Sequence, residues 1–174
     1  MNATMMHTPM TVQMIMHHGE SVFPDSTVSV FDGETLTHTR YADIAANATR
    51  LASALAHLGI QPGDRVGTFS WNNTAHMEAY LAIPSMGAIM HTINVRLSPE
   101  HMAYVTNHAQ DRIIILDASL QSVFEPVLPM LTSVEHILLV GDQPVALTTE
   151  VPISRYQQLL AESDDVYAWP ELDE

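Results

Sequence analysis

Cysteine and lysine are both missing from the 174 residues. Without cysteine there is no disulfide framework, no thiolate nucleophile and no thiolate metal ligand. Its absence fits a reducing compartment. Without lysine, a Walker-type phosphate loop, a Schiff base and all other lysine chemistry are excluded within these residues. Positive charge is scarce altogether. Six arginines, at 40, 50, 65, 96, 112 and 155, stand against 20 acidic side chains, for a formal net charge of −14. Such a balance repels phosphate backbones, so nucleic acid is not an expected partner. Long apolar runs are lacking too. The longest weakly polar stretch, Ala79 to Met90, has 12 residues and contains Pro84, too short to span a bilayer. The first residues, Met1 to His7, carry neither the basic nor the apolar region of a secretion signal. The expectation is a soluble, cytoplasmic protein with no transmembrane segment.

What is present suits a folded domain. Apolar residues make up 47% and charged ones 15%, which excludes a disordered tail. A chain of this size buries roughly 70% of its unfolded surface. Residues 1–10 are Met-rich and without period, and read as a loose terminus. Thr11 to His18 predicts a short helix with Val12, Ile15 and Met16 on one side and Gly19 as its stop. Thr27–Phe31 and Thr35–Thr39 alternate apolar and polar residues around Asp32-Gly33. That pattern predicts a β-hairpin, because glycine tolerates the positive φ of a tight turn. Between Thr39 and Leu58, the residues Ile44, Ala48, Leu51, Leu55 and Leu58 recur every three or four positions, the stripe of a helix. Thr39 is the expected cap, Asp43 sits in the first turn, and Gly59 and Pro62 close the segment.

Short apolar runs then alternate with helical stretches. Strands are expected at Arg65–Phe69, Ala88–Thr92, Arg112–Leu116 and His136–Val140. Between them lie helices capped by Asn73 and Ser98, the second with Pro99 at its first position. A further helix through Leu120, Phe124, Val127 and Leu131 is weakened by Pro126 and Pro129. Strand starts near 65, 88, 112 and 136 fit successive right-handed βα units of a parallel sheet. The fold class is therefore α/β, a parallel-sheet βα subdomain with an N-terminal hairpin and helix. Residues 142–152 read as a loop, Ser154 as the cap of a short helix carrying Tyr156, Leu159 and Leu160, and residues 162–174 as an acidic, exposed linker.

Several familiar chemistries find no support. Gly59, Gly63 and Gly67 lie after a helix and before a strand, the reverse of the dinucleotide fingerprint. The ten histidines form no H-x-H, H-x3-H or H-E-x-x-H pattern. His101 and His108 stand two helical turns apart, about 10 Å, too far to share a metal. No metal site is expected, and no G-x-S-x-G nucleophile elbow occurs. One pair of segments stands out, Ser70-Trp71-Asn72-Asn73 and His91-Thr-Ile-Asn94-Val-Arg96-Leu97. Each follows a predicted strand, and ligands of open α/β sheets gather outside the carboxyl ends of strands. Trp71 is suited to stacking on a flat group and the Arg96 guanidinium to a phosphate. The plainer alternative has Asn72 and Asn73 capping a helix, Trp71 packing and Arg96 balancing acids.

The run Ser70-Trp-Asn-Asn-Thr-Ala-His-Met-Glu-Ala-Tyr, then Pro84 through Glu100, then Tyr104-Val-Thr-Asn-His-Ala, resembles the N-terminal region of fatty-acyl-CoA synthetases. These belong to the AMP-forming acyl-adenylate ligase superfamily, and the medium- to long-chain branch is the nearest match. The flanks agree: Thr39-Arg-Tyr-Ala-Asp-Ile, Leu58-Gly-Ile-Gln-Pro-Gly-Asp-Arg-Val and Trp169-Pro-Glu-Leu-Asp-Glu. The resemblance runs from about residue 10 to 174. It implies a flavodoxin-like subdomain within the family's N-terminal domain, spanning residues 11–161. It also implies a reaction in the intact protein that uses fatty acid, ATP with Mg2+ and CoA to give acyl-CoA, AMP and pyrophosphate. The family's phosphate loop, of the form YTSGTTGxPKG, its hinge Asp and its catalytic Lys do not occur in these residues. The expectation is thus an N-terminal piece, inactive alone, that supports the CoA site and offers a subunit interface for a homodimer. No catalytic residue is carried over. Arg96 alone is assigned a role, against the nucleotide phosphate of CoA, in a context preserved by Asn94 and Leu97. Trp71, Asn73 and His91 match the family without an assigned role. The rival reading is a stand-alone interaction module of the same subdomain, and a weaker one a flavodoxin-like protein for a small ligand.

Overall fold

The structure is a computed structural model that describes residues 9–173. Most of the predicted loose terminus lies outside the described residues. Two buried apolar strands explain the architecture. In β5 (Asp111–Asp117) and β6 (His136–Val140), Ile113, Ile115, Leu138 and Val140 point to one hydrophobic cluster. Ile114, Leu116, Ile137 and Leu139 point to another. Strands buried on both faces need helices on both sides, which is what a parallel sheet provides. With β3 (Arg65–Phe69), β4 (Ile89–Thr92) and β7 (Ile153–Arg155) they form a five-stranded parallel sheet of order β4-β3-β5-β6-β7. Counted within the sheet, that order is 2-1-3-4-5, the flavodoxin-like doubly wound arrangement. Four strands were legible from apolar runs. The fifth, β7, has only three half-buried residues and carries no such run. Ser154 lies in β7 rather than capping a helix; its hydroxyl meets His136 Nε2 at 2.9 Å.

The first cluster is built by α1 (Val12–Val22), α2 (Tyr41–His57), α3 (Thr74–Ser85) and α6 (Tyr156–Glu162). Of the predicted stripe, Ile44, Ala48, Leu51 and Leu55 are fully buried in α2, while Leu58 is its C-terminal cap residue and only partly buried. The start of α2 differs from expectation. Thr39 belongs to β2 (Leu36–Arg40), and Arg40 holds the cap position with no side-chain cap bond. Arg40 instead forms a bidentate pair with Asp43. Helix α1 does not stop at Gly19. It continues to Val22, and Gly19 is where the ring of Tyr41 crosses so closely that a Cβ would collide with it. Met16 faces the core while Ile15 is 53% exposed.

Between α1 and α2, β1 (Thr27–Phe31) and β2 pair antiparallel as the predicted hairpin. Asp32 organises its turn by accepting from the N–H groups of Glu34 and Thr35 at 2.9 and 2.7 Å, and Gly33 takes φ +106°. The second cluster is covered by α4 (Pro99–Ala109) and by the segment 118–130. That segment is a single α-turn, α5 (Gln121–Phe124), between two 3-10 stretches rather than one helix. Pro126 and Pro129 remove the donors a continuous helix needs. Residues 163–173 hold no helix or strand, yet Tyr167 and Trp169 pack edge to face at 4.8 Å against the first cluster. No helix is long and apolar enough to cross a membrane among the described residues.

Candidate functional site

The strand order places a switch point between β3 and β5, where successive connections leave to opposite faces. Ligands of doubly wound sheets bind in the crevice outside the strand ends there. The chain runs off β3 into Ser70–Asn73 and off β5 into Asp117–Ser119, and these two loops bind each other. Asn73 Nδ2 donates to Asp117 Oδ2 at 2.9 Å, and Trp71 Nε1 donates to Ser119 Oγ at 3.1 Å. The same Asn73 caps α3, its Oδ1 accepting from the His76 N–H at 2.9 Å. One amide thus performs the two tasks for which Asn has both an acceptor and a donor. Asp117 in turn accepts from the Ser119 N–H and hydroxyl. Beneath the loop, His76 Nε2 meets Thr68 Oγ1 at 3.1 Å. Burial holds that imidazole below its ordinary pKa, the Trp71 carbonyl pulling the other way.

A crevice of about 750 Å3 opens here, bounded by Trp71, Asn73, Asp117 and Ser119 on the sheet side and by Phe31, Asp32 and Glu34 of the hairpin opposite. Trp71 is 51% exposed, so its indole face is available to a flat group. The charged lining is acidic. Asp32 is held down to about 2 by the N–H groups of Thr35 and Glu34 that point at it, so it stays ionised across the physiological range. Such a crevice repels triphosphate. Among the described residues no three His, Asp or Glu side chains gather to hold a metal ion.

Arg96 lies elsewhere at the same end of the sheet, in the turn that leads from edge strand β4 to α4. Asn94 Oδ1 accepts the Arg96 N–H at 2.9 Å and shapes that turn. Ser98 caps α4 as expected, with Pro99 at its first turn. Five of the six arginines are engaged: Arg40, Arg50, Arg65, Arg112 and Arg155 each reach a carboxylate, an amide or a carbonyl. Arg96 is exposed, and its guanidinium has no partner among the described residues. A phosphate fits that group. The structure thus brings Trp71 and Asn73 together and leaves Asn94 and Arg96 outside the crevice they line. His91 sits on β4 itself, its Nδ1 2.7 Å from Asp111 Oδ2. Asp117 and Ser119 were missed by sequence reasoning. Their only signal was position at the carboxyl end of a strand, and it becomes informative once the strand order is known.

Comparison with known proteins settles the family. Residues 16–170 match the family described as AMP-binding enzyme. The chain belongs to it. A 3-methylmercaptopropionyl-CoA ligase of Ruegeria lacuscaerulensis is 38% identical over 98% of this chain and 32% of its own length. A medium-chain-fatty-acid–CoA ligase of Ectopseudomonas oleovorans is 34% identical over 84% of this chain and 27% of its own length. Among solved structures, one described as a long-chain-fatty-acid CoA ligase from Rhodopseudomonas palustris superposes with a TM-score of 0.78 and 26% identity. It covers 95% of this chain and 39% of that one. The chain spans about a third of the length of the curated relatives it matches. This member of the AMP-binding enzymes therefore has the α/β fold that its sequence resemblance implied, and CoA ligases are among its relatives.

Proposed function

We propose that these residues serve a fatty acid–CoA ligase as its supporting N-terminal part. The overall reaction joins fatty acid, ATP and CoA into acyl-CoA, AMP and pyrophosphate, with Mg2+ neutralising phosphate charge. The adenylate-forming chemistry belongs to residues outside this chain, because its sheet-end crevice is acidic and lysine is absent. Its own contribution is a rigid sheet, and one contact: Arg96 pairs with the nucleotide phosphate of CoA. The observation that carries this reading is the Arg96 guanidinium, without a partner among the described residues and set at a strand end while the other five arginines are engaged within the fold. An Arg–phosphate pair is charge-assisted and well suited to two parallel hydrogen bonds.

The test uses the purified chain. CoA added to 15N-labelled protein is expected to shift the amide resonances of residues 93–98, whereas pantetheine, which lacks the nucleotide, leaves them unmoved. Arg96→Ala should weaken CoA binding by about tenfold, as loss of a hydrogen bond to a charged group costs roughly 1.5–3 kcal/mol. The same protein should form no acyl-adenylate. Turnover of fatty acid and ATP by these residues alone, or equal response to CoA and pantetheine, overturns the assignment.

A further inference from the structure

Strand β4 is weakly attached at one edge of the sheet. It has four residues, lies at the edge, and shares backbone hydrogen bonds with β3 alone. The turn bearing Arg96 leaves directly from it. Its backbone bonds are the Ile93 N–H to the Thr68 carbonyl at 2.9 Å and the Leu97 N–H to the Asn94 carbonyl at 3.2 Å. Where Arg96 stands therefore depends on how firmly β4 is held.

A side-chain bond spans that weakness. His91 on β4 reaches Asp111 at the start of β5, two strands away, with Nδ1 2.7 Å from Oδ2. The pair crosses above Gly67 of β3, which faces His91 in the register. A Cβ on Gly67 would lie 3.0 Å from Asp111 Oδ2 and 2.5 Å from Ile114 Cδ1, so only glycine leaves the passage open. The Asp111 side chain is 0% exposed, and its Oδ1 has no hydrogen-bond partner among the described residues. Burial raises its pKa, while the bond and charge of His91 and the charge of Arg65 lower it. An aliphatic residue would stabilise such a position more simply, since a buried carboxylate with one idle oxygen is costly. What the ionic group adds is geometric definition, the use of buried polar groups that stability alone does not explain.

We propose that His91 is a positioning residue for Arg96: by binding Asp111 across Gly67, it clamps the end of β4 and orients the turn that presents the guanidinium. The inference rests on the reading of Arg96 as a phosphate contact, and the experiment separates the two. Amide hydrogen exchange is measured at Ile93, Arg96 and Leu97, with Leu138 and Leu139 of β6 as internal reference. His91→Leu removes the donor and is expected to speed exchange at the three turn amides by about tenfold, leaving β6 unchanged. His91→Asn, whose Nδ2 stands near the original Nδ1, restores protection. Asp111→Asn, which keeps the shape and removes the charge, is expected to loosen the same three amides. CoA binding by His91→Leu should fall and that by His91→Asn should recover. Unchanged exchange in both His91→Leu and Asp111→Asn, or a rise spread equally over β6, overturns the clamp. If Arg96→Ala binds CoA as the parent does while the exchange pattern holds, the phosphate reading fails and the turn-ordering role of His91 stands.

Discussion

Glu78 shows how a single residue couples burial to proton binding. It sits in α3 at 3% exposure, and its two oxygens accept from Asn47 Nδ2 at 2.8 Å and Tyr156 Oη at 2.7 Å. Burial raises its pKa, the two hydrogen bonds acting against that rise. The Tyr156 hydroxyl is pushed far above its ordinary value by burial and by the Glu78 charge. A carboxyl raised in the folded state binds more protons there than when unfolded, so stability falls as pH rises from the ordinary carboxylate range through the raised value. Glu78→Gln keeps an acceptor for Asn47 and removes the desolvated charge. The variant is expected to be more stable at pH 7 by about 1 kcal/mol. The variant's advantage over the parent should grow as pH rises from the ordinary carboxylate range towards 7. Thermal unfolding followed across pH decides it. At this scale the sequence was a mixed guide. Arg96 stood out because cations are few, whereas nothing marked Glu78 or Asp111, and only its place at the end of a strand marked Asp117. Their roles come from partners 31, 20 and 44 positions away.

Elements were legible where a local rule governs them. Asn73 and Ser98 cap α3 and α4 as their side chains dictate, and the Asp32-Gly33 pair turns the hairpin. The misreadings share a cause, a partner that local pattern does not show. Gly19 fits a helix stop by type, but the Tyr41 ring requires it inside α1. Strand β7 is too short for alternation and exists because β6 has a free edge to pair with. Helix α3 offers a test of a cap with two duties. Asn73→Asp preserves the acceptor for the His76 N–H but sets a second carboxylate against Asp117, so one of the two must be pushed up. It is expected to lose about 1–2 kcal/mol at pH 7, a deficit that shrinks as pH falls and one carboxyl gains a proton. Asn73→Ala, lacking the cap altogether, should be destabilised at both pH values, by about 1 kcal/mol or more. Urea midpoints at pH 4.5 and 7 distinguish the two variants.

At the scale of the whole molecule, Arg112 of β5 ties two connections together at the amino end of the sheet. It reaches Asp64 before β3 at 2.6 Å, Glu135 before β6 at 2.7 Å and the Gly59 carbonyl at 2.8 Å. Asp64 is lowered first by the Gln61 N–H and then by Arg112, and Glu135 is lowered by Arg112. Carboxylates held down in this way stabilise above their unfolded pKa and lose that effect as pH falls through the folded one. Arg112→Ala is expected to cost about 1 kcal/mol at pH 7 in low salt, since partly exposed pairs are screened. The difference from the parent should shrink as pH falls below the ordinary carboxylate range, leaving the part due to the Gly59 carbonyl, and narrow in 1 M salt; denaturant titrations under the three conditions check it. The sequence alone determined the α/β class, four of the five strands of the parallel sheet, the caps of α3 and α4, and the family to which the chain belongs. Each rests on local spacing or residue identity, which a linear reading contains. Only the tertiary structure decided the strand order, hence the switch point and the meeting of Trp71 and Asn73 with Ser119 and Asp117. It alone set His91 against Asp111 over Gly67 and left Arg96 uncommitted among the described residues. Those facts depend on which distant segments become neighbours, and that choice is made by burying both faces of the sheet at once.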